Sequence, residues 1–170
     1  SVPILVVLGS YSYFKRFSSM AHVVLGVSLG LAPIAGVVAV QASIPAWSAL
    51  LSLGVIFWVA GFDLLYSLQD IEFDKKNNLY SIPSRFGSEA TLFISSLFHM
   101  LSVIFWALFV WVAELGIFAF VAVIVAALML RFEHHIVRKD FTKIDMAFFT
   151  VNGYLGFAFF ILIVLDKIVS

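Results

Sequence analysis

Five apolar runs, each about as long as a bilayer is thick, limit what this chain can fold into. They are Ala21–Val40, Trp47–Tyr66, Ala90–Val112, Leu115–Phe132 and Met146–Leu165, and a sixth run, Val2–Phe14, is too short for a full crossing. A hydrocarbon core about 30 Å thick takes about 20 helical residues. Inside it every backbone N–H and C=O must be paired within the segment, which leaves the helix as the natural solution. Only 12% of the residues are charged and 63% are hydrophobic, against about 25% charged in soluble domains. The expected fold is an all-α integral membrane bundle in one domain over residues 1–170, because no repeat, linker or low-complexity tract divides it. The chain has no cysteine, so disulfides and thiolate metal sites are excluded, and its zero net charge gives a nucleic acid no basic patch to bind. It starts with Ser1 inside an apolar run and has no basic n-region. That reads as a piece of a longer protein entered within a helix, not as a signal peptide.

The basic residues orient the spans. Lys15, Arg16, Lys75, Lys76, Arg85, Arg131, Arg138, Lys139 and Lys143 fall in alternate connections, nine of the ten Lys and Arg, and only Lys167 falls opposite. The connections Gln41–Ala46 and Ala113–Glu114 carry none. By the positive-inside rule the basic face is cytoplasmic.

On that face lies the densest acidic segment. Asp63, Asp70, Glu72 and Asp74 are four of the ten acidic residues within twelve positions. On a continuous α-helix, Asp63, Tyr66, Asp70 and Asp74 share an arc of about 80°, with Glu72 about 180° from Asp63. Asp70 and Asp74 are one turn apart, about 6 Å along the axis. That spacing suits Mg²⁺, which is ordinarily held by one or two carboxylates plus substrate phosphates. Asp63 lies about 10 Å deeper and is expected to face a reacting organic group. Lone acids near a membrane surface are ordinarily solvated, which accounts for Glu72, Glu89 and Asp140. It does not account for three aspartates and a tyrosine on one face, one of them within a span.

Asp63-x-x-Tyr66-x-x-x-Asp70-x-x-x-Asp74, followed by Ser81-Ile-Pro-Ser-Arg-Phe-Gly87, resembles the second aspartate-rich motif of the UbiA superfamily of membrane prenyltransferases. Tyr11–Ser18, Val24–Gly30 and Ala32–Gly36 resemble the stretch before and within the family's fifth helix. Glu133–Val137 and Ala147–Asn152 resemble its 4-hydroxybenzoate polyprenyltransferase branch. The resemblance implies a nine-helix bundle of which about six helices are present here. It also implies two facing aspartate motifs that bind Mg²⁺ and hold a prenyl diphosphate. The first motif is absent from this sequence and is expected upstream of Ser1, so the chain alone is expected to be inactive.

The implied reaction moves a polyprenyl group from its diphosphate to an aromatic acid, 4-hydroxybenzoate or a related precursor of ubiquinone or menaquinone, in a bacterial inner membrane. Asp70 and Asp74 would hold the metal. Lys15, Arg16, Lys75 and Arg85 are cationic candidates for the phosphates; the resemblance favours Lys15 and Arg16, and the two arginines offer bidentate donors. Tyr66 or Tyr11 would face the allylic cation, and Asp63 would stabilise it or orient the acceptor. The remaining polar residues carry weaker signals. His134 and His135 point about 100° apart and cannot chelate together, so with Glu133 they read as an interfacial polar cluster. His22 and His99 read as packing or hydrogen-bonding partners, and Asn152 as an interhelical hydrogen bond. Pro33 between Gly30 and Gly36 reads as a kink or a close helix contact. A competing class is an ion-coupled transporter with Asp63 as a proton relay. Transporter carboxylates ordinarily sit near the bilayer midplane between internal repeats, and neither feature is present in this sequence. A non-catalytic membrane scaffold is the third class.

Overall fold

The structure, a computed structural model, describes Gly9, Arg16 and residues 18–169. Lys15, Tyr11 and, Gly9 apart, the short run Val2–Phe14 lie outside the described residues. The helices are α1 (Ala21–Gly30), α2 (Ala32–Gln41), α3 (Ala46–Tyr66), α4 (Ile71–Lys76), α5 (Ile82–Val112), α6 (Ile117–Lys139) and α7 (Asn152–Val169). Tight 3-10 turns cover Ser67–Asp70 and Phe141–Lys143, and a π-helical turn covers Met146–Val151. Together they make five helical stretches long and apolar enough to cross a membrane: Ala21–Gln41, Ala46–Lys76, Ile82–Val112, Ile117–Lys139 and Met146–Val169. The architecture is therefore the all-helical membrane bundle that the apolar runs call for.

Two breaks follow from local chemistry. Leu31 separates α1 from α2 just before Pro33, which has no N–H to donate to a continuous helix. The third span begins at Ile82 rather than Ala90, because Ser81 and Ser84 cap the helix start reciprocally, each hydroxyl accepting the other's backbone N–H at 3.2 and 3.0 Å. The chain then turns at Gly87, whose φ of +82° suits glycine and strains other residues.

The helices pack antiparallel at close range. Lipid offers helices no hydrophobic drive to associate, so small residues and interhelical hydrogen bonds take that place. Gly26 and Gly30 of α1 let the helix lie on Ile56 and Ala60 of α3; a Cβ on Gly26 would come within 2.5 Å of the Ile56 carbonyl oxygen. Along the α3–α5 seam, the Ser95 and Ser102 hydroxyls donate to the carbonyls of Gly61 and Gly54 at 2.7 and 2.8 Å. The missing side chains of Gly61 and Gly54 make room for the His99 and Trp106 rings. A Cβ on Gly61 would lie 2.3 Å from the His99 ring. Gly61→Ala should therefore cost about 1–3 kcal/mol, the usual penalty of overpacking. Gly36→Ala should be close to neutral, since nothing lies within 4 Å of that position. Thermal unfolding of the two variants in one detergent checks this.

The main core joins α5, α6 and α7 through Trp106, Val110, Val123, Leu130 and Leu155. A second cluster, Leu65, Leu68, Leu92, Val137 and Ile144, sits at the end that carries the aspartates. At the other end Asp166 of α7 is buried and caps α6, accepting from the backbone N–H groups of Gly116 at 2.7 Å and Ala119 at 3.2 Å.

Candidate functional site

The aspartate segment leaves the bundle in three steps. α3 runs to Tyr66, the 3-10 turn covers Ser67–Asp70, and α4 carries Asp74. A 3-10 turn winds about 120° per residue instead of about 100°, so its four residues rotate everything after them by about 80°. The continuous α-helical face expected across 63–74 is therefore interrupted between Tyr66 and Asp70. Packing accounts for the tightened turn: i and i+3 side chains eclipse in a 3-10 helix, which puts Leu65 and Leu68 together against Val137 and Ile144. Gln69 adds a tie to the start of the last span, its amide donating to Asp145 at 3.1 Å.

The four residues of that face meet different surroundings. Asp63 is buried, and its Oδ2 lies 2.7 Å from Nδ1 of His22 on α1. Tyr66 is half-buried with its ring 4.4 Å from that of Phe148 in the π-helical turn, beside Phe62, which is 5.2 Å from the same ring. Asp70 is half-exposed and Asp74 is only 1% exposed, and neither is a free carboxylate. Glu72 and Glu89 are exposed, as solvated charges should be. Asp140 is partly exposed; the Thr142 hydroxyl and backbone N–H donate to it at 2.7 and 3.0 Å and hold its carboxyl below the usual range.

Arg85 reaches across to the segment that precedes α1. Its guanidinium donates to Ser19 at 3.4 Å and lies 5.7 Å from the ring centroids of both Tyr80 and Phe86. Ser19 is three residues after Arg16, which is itself exposed and engaged. The structure thus brings Arg16, Arg85 and the Asp70–Asp74 segment to one end of the bundle, the end where α1 and α5 start and α3 finishes. Lys75 and Lys76 are exposed on α4 at the same end.

A divalent ion fits this end in a limited way. Among the described residues no group of three or more His, Asp or Glu side chains converges on one point, so they form no all-protein cage. The donor set that Asp70 and Asp74 offer is two hard carboxylates, which matches an ion that completes its shell with water and phosphate oxygens.

Asn152 makes the interhelical hydrogen bonds expected of it, and His22 and His99 are hydrogen-bonding partners as read; the Glu133 group is placed differently. Glu133, read as interfacial, is fully buried. Its Oε1 accepts from Asn152 Nδ2 at 2.7 Å, the same amide donates to the Ala147 carbonyl at 3.2 Å, and Asn152 Oδ1 accepts from Trp58 Nε1 at 2.7 Å. The His99 and His134 rings meet at 3.0 Å, and His99 Nδ1 is 3.9 Å from Glu133 Oε2. A single network therefore ties α3, α5, α6 and α7. It also satisfies one carbonyl left by the π-helical turn that carries Phe148. His22 is the other residue whose partner was not legible: it is 41 positions from Asp63, and no spacing rule links them. The available signal was only that a polar side chain within a span seeks a partner.

The UbiA prenyltransferase family profile matches residues 1–164. The chain belongs to that family. Curated relatives include the 4-hydroxybenzoate octaprenyltransferase of Xanthomonas campestris pv. campestris, 28% identical over 169 residues, which are 95% of this chain and 53% of that protein. The enzyme of the same name from Janthinobacterium sp. is 28% identical over 167 residues, 98% of this chain and 58% of that protein. The chain thus spans a little over half the length of these UbiA relatives. Among solved structures, the apo structure of a UbiA homolog from Aeropyrum pernix K1 superposes with a TM-score of 0.81 at 29% identity, covering 99% of this chain and 62% of that one. The helical arrangement described above is therefore a UbiA arrangement.

Proposed function

We propose that the intact protein transfers a polyprenyl group from a polyprenyl diphosphate to an aromatic acid, 4-hydroxybenzoate or a related quinone precursor, in a Mg²⁺-dependent reaction. One observation carries this reading: a UbiA chain gathers Asp70, Asp74, Arg16 and Arg85 at a single end of its bundle. The protein would sit in a bacterial inner membrane with this end in the cytoplasm, where Mg²⁺ and a diphosphate head can reach it.

The reaction breaks the allylic carbon–oxygen bond, releases diphosphate, and forms a carbon–carbon bond to the ring, which then loses a proton. Asp70 and Asp74 would hold Mg²⁺, which when bound supplies Lewis-acid stabilisation of the departing diphosphate. Arg85 and Arg16, with Lys15, would bind the remaining phosphate oxygens. Tyr66 presents its ring beside Phe148 and Phe62, an aromatic wall suited to an allylic cation. Asp63, fixed by His22, would orient the acceptor from within the bundle.

Incubating the intact protein with radiolabelled polyprenyl diphosphate and candidate aromatic acids tests the proposal; a prenylated acid should form with Mg²⁺ and not with EDTA. No product from any acceptor, or equal product in EDTA, would refute it. Arg85→Lys keeps the charge and loses the two-pronged donor. It should raise KM for the diphosphate about tenfold, roughly one charge-assisted hydrogen bond, and change kcat much less. Steady-state kinetics over donor concentration checks this. The buried His22–Asp63 pair is the observation that favours an ion-coupled transporter instead; proton-coupled uptake into vesicles without any prenylated product would select that reading.

A further inference from the structure

A cleft lies between α5 and α6. It encloses about 680 Å³, and no acidic side chain lines it. Apolar side chains such as Met100 and Val103 of α5 and Leu128 of α6 form much of its lining, His99 and His134 of the buried network also reach it, and Arg131, His135 and Arg138 line it too. The last three fall at i, i+4 and i+7 on α6, so they share a stripe about 60° wide. Arg131, His135 and Arg138 are all exposed.

Depth makes Arg131 unusual: the sequence reading counts it with a connection, whereas it lies within α6, eight residues before the helix ends. α6 begins at Ile117 at the opposite surface, so at about 1.5 Å per residue Arg131 stands about 21 Å along the helix and Arg138 about 32 Å. A hydrocarbon core is about 30 Å thick, so Arg138 reaches the headgroup level while Arg131 lies about 10 Å below it. An ionised side chain at that depth needs a counter-charge or water. Among the described residues, neither guanidinium takes part in an ion pair such as His22–Asp63 or His99–Glu133. The nearby Glu133 is turned into the bundle and bonded to Asn152.

We propose that the α5–α6 cleft is a site for an anionic phospholipid. Its phosphate sits between Arg131 and Arg138 with His135 beside them, and its acyl chain runs down the apolar wall past Val103 and Leu128. The bilayer supplies the acyl chain, and the basic stripe selects the headgroup. The site draws on none of the residues assigned to prenyl transfer, so it stands or falls separately from that reading.

Native mass spectrometry of the purified protein, with added phosphatidylglycerol, phosphatidylcholine or inorganic phosphate, tests it. Phosphatidylglycerol should stay bound, and phosphatidylcholine and phosphate should not. Arg131→Gln/Arg138→Gln should weaken phosphatidylglycerol retention about thirtyfold, since each interfacial arginine adds about a factor of five. Lys75→Gln/Lys76→Gln, which removes the same charge from α4, should change it less than twofold. Leu128→Trp, which fills the apolar wall and leaves the arginines in place, should also release the lipid. Equal retention of both phospholipids, an equal loss in the lysine variant, or occupancy by phosphate alone would overturn the proposal.

Discussion

Asp74→Asn should lower prenyl transfer by the intact protein about a thousandfold while leaving the bundle folded. The carboxylate sits on the six-residue α4 and is buried; asparagine keeps its size and can still hydrogen-bond, so the substitution removes the charge without opening a cavity. Its proposed task is to hold the ion that stabilises charge on the departing diphosphate. Removing one preorganised electrostatic contact of that kind costs about a hundred- to a thousandfold in turnover. The upper end applies because only two carboxylates are assigned to the ion on this half of the site. Asp70→Asn should fall in the same range. Glu72→Gln should change activity less than twofold, since Glu72 is exposed on the other side of the same short helix. Initial rates with saturating donor and acceptor, set beside the thermal unfolding of each variant, separate a lost ion from a lost fold.

Asn152→Leu should have the largest effect on stability, about 3 kcal/mol. The substitution leaves three buried groups without the amide that joined them: the Glu133 carboxyl, the Trp58 indole N–H and the Ala147 carbonyl. Each stranded group costs about 1–3 kcal/mol in a soluble core. Hydrogen bonds within membranes average about 0.6 kcal/mol, because the unfolded chain in lipid also finds partners. About 1 kcal/mol per group is the balance between these. Glu133→Gln keeps an oxygen that accepts from Asn152 and should cost less than about 1 kcal/mol. In Glu133→Leu/Asn152→Leu one stranded group is gone, so the double variant should be more stable than the two single losses added together, by about 1 kcal/mol or more. Reversible unfolding in mixed micelles measures all four. Because Asn152 also holds the π-helical turn, Asn152→Leu should loosen Phe148 against Tyr66 and lower kcat further than the stability loss explains.

The helical spans were legible in the residues, because hydropathy acts through whole segments and survives local detail. The break after Tyr66 was not legible. A 3-10 turn and an α-helix share nearly the same sequence preferences, and what decides between them here is the fit of Leu65 and Leu68 against Val137 and Ile144, residues some seventy positions away. For the same reason the reading placed Asp63, Tyr66, Asp70 and Asp74 on one face when the structure divides them. Gly61 shows the same. No spacing rule marks it in the sequence, and its place is set by the His99 ring that occupies the space of its missing side chain. Glu133 was read as part of an interfacial polar cluster because it adjoins His134 and His135 in sequence. Its burial depends on Asn152, which arrives from the next span. The early start of α5 was partly written in Ser81 and Ser84, a capping pair that hydropathy alone ignores.

If Asp70 and Asp74 hold a magnesium ion that binds the diphosphate of a prenyl donor, the ion and the donor should bind together. Equilibrium binding of a non-reacting prenyl thiodiphosphate to the intact protein, with and without Mg²⁺, tests it most directly. Mg²⁺ should tighten binding at least tenfold in the unmodified protein and have no effect in Asp70→Asn/Asp74→Asn. Binding that is equally tight in EDTA, or a Mg²⁺ effect that survives in the double variant, would contradict it.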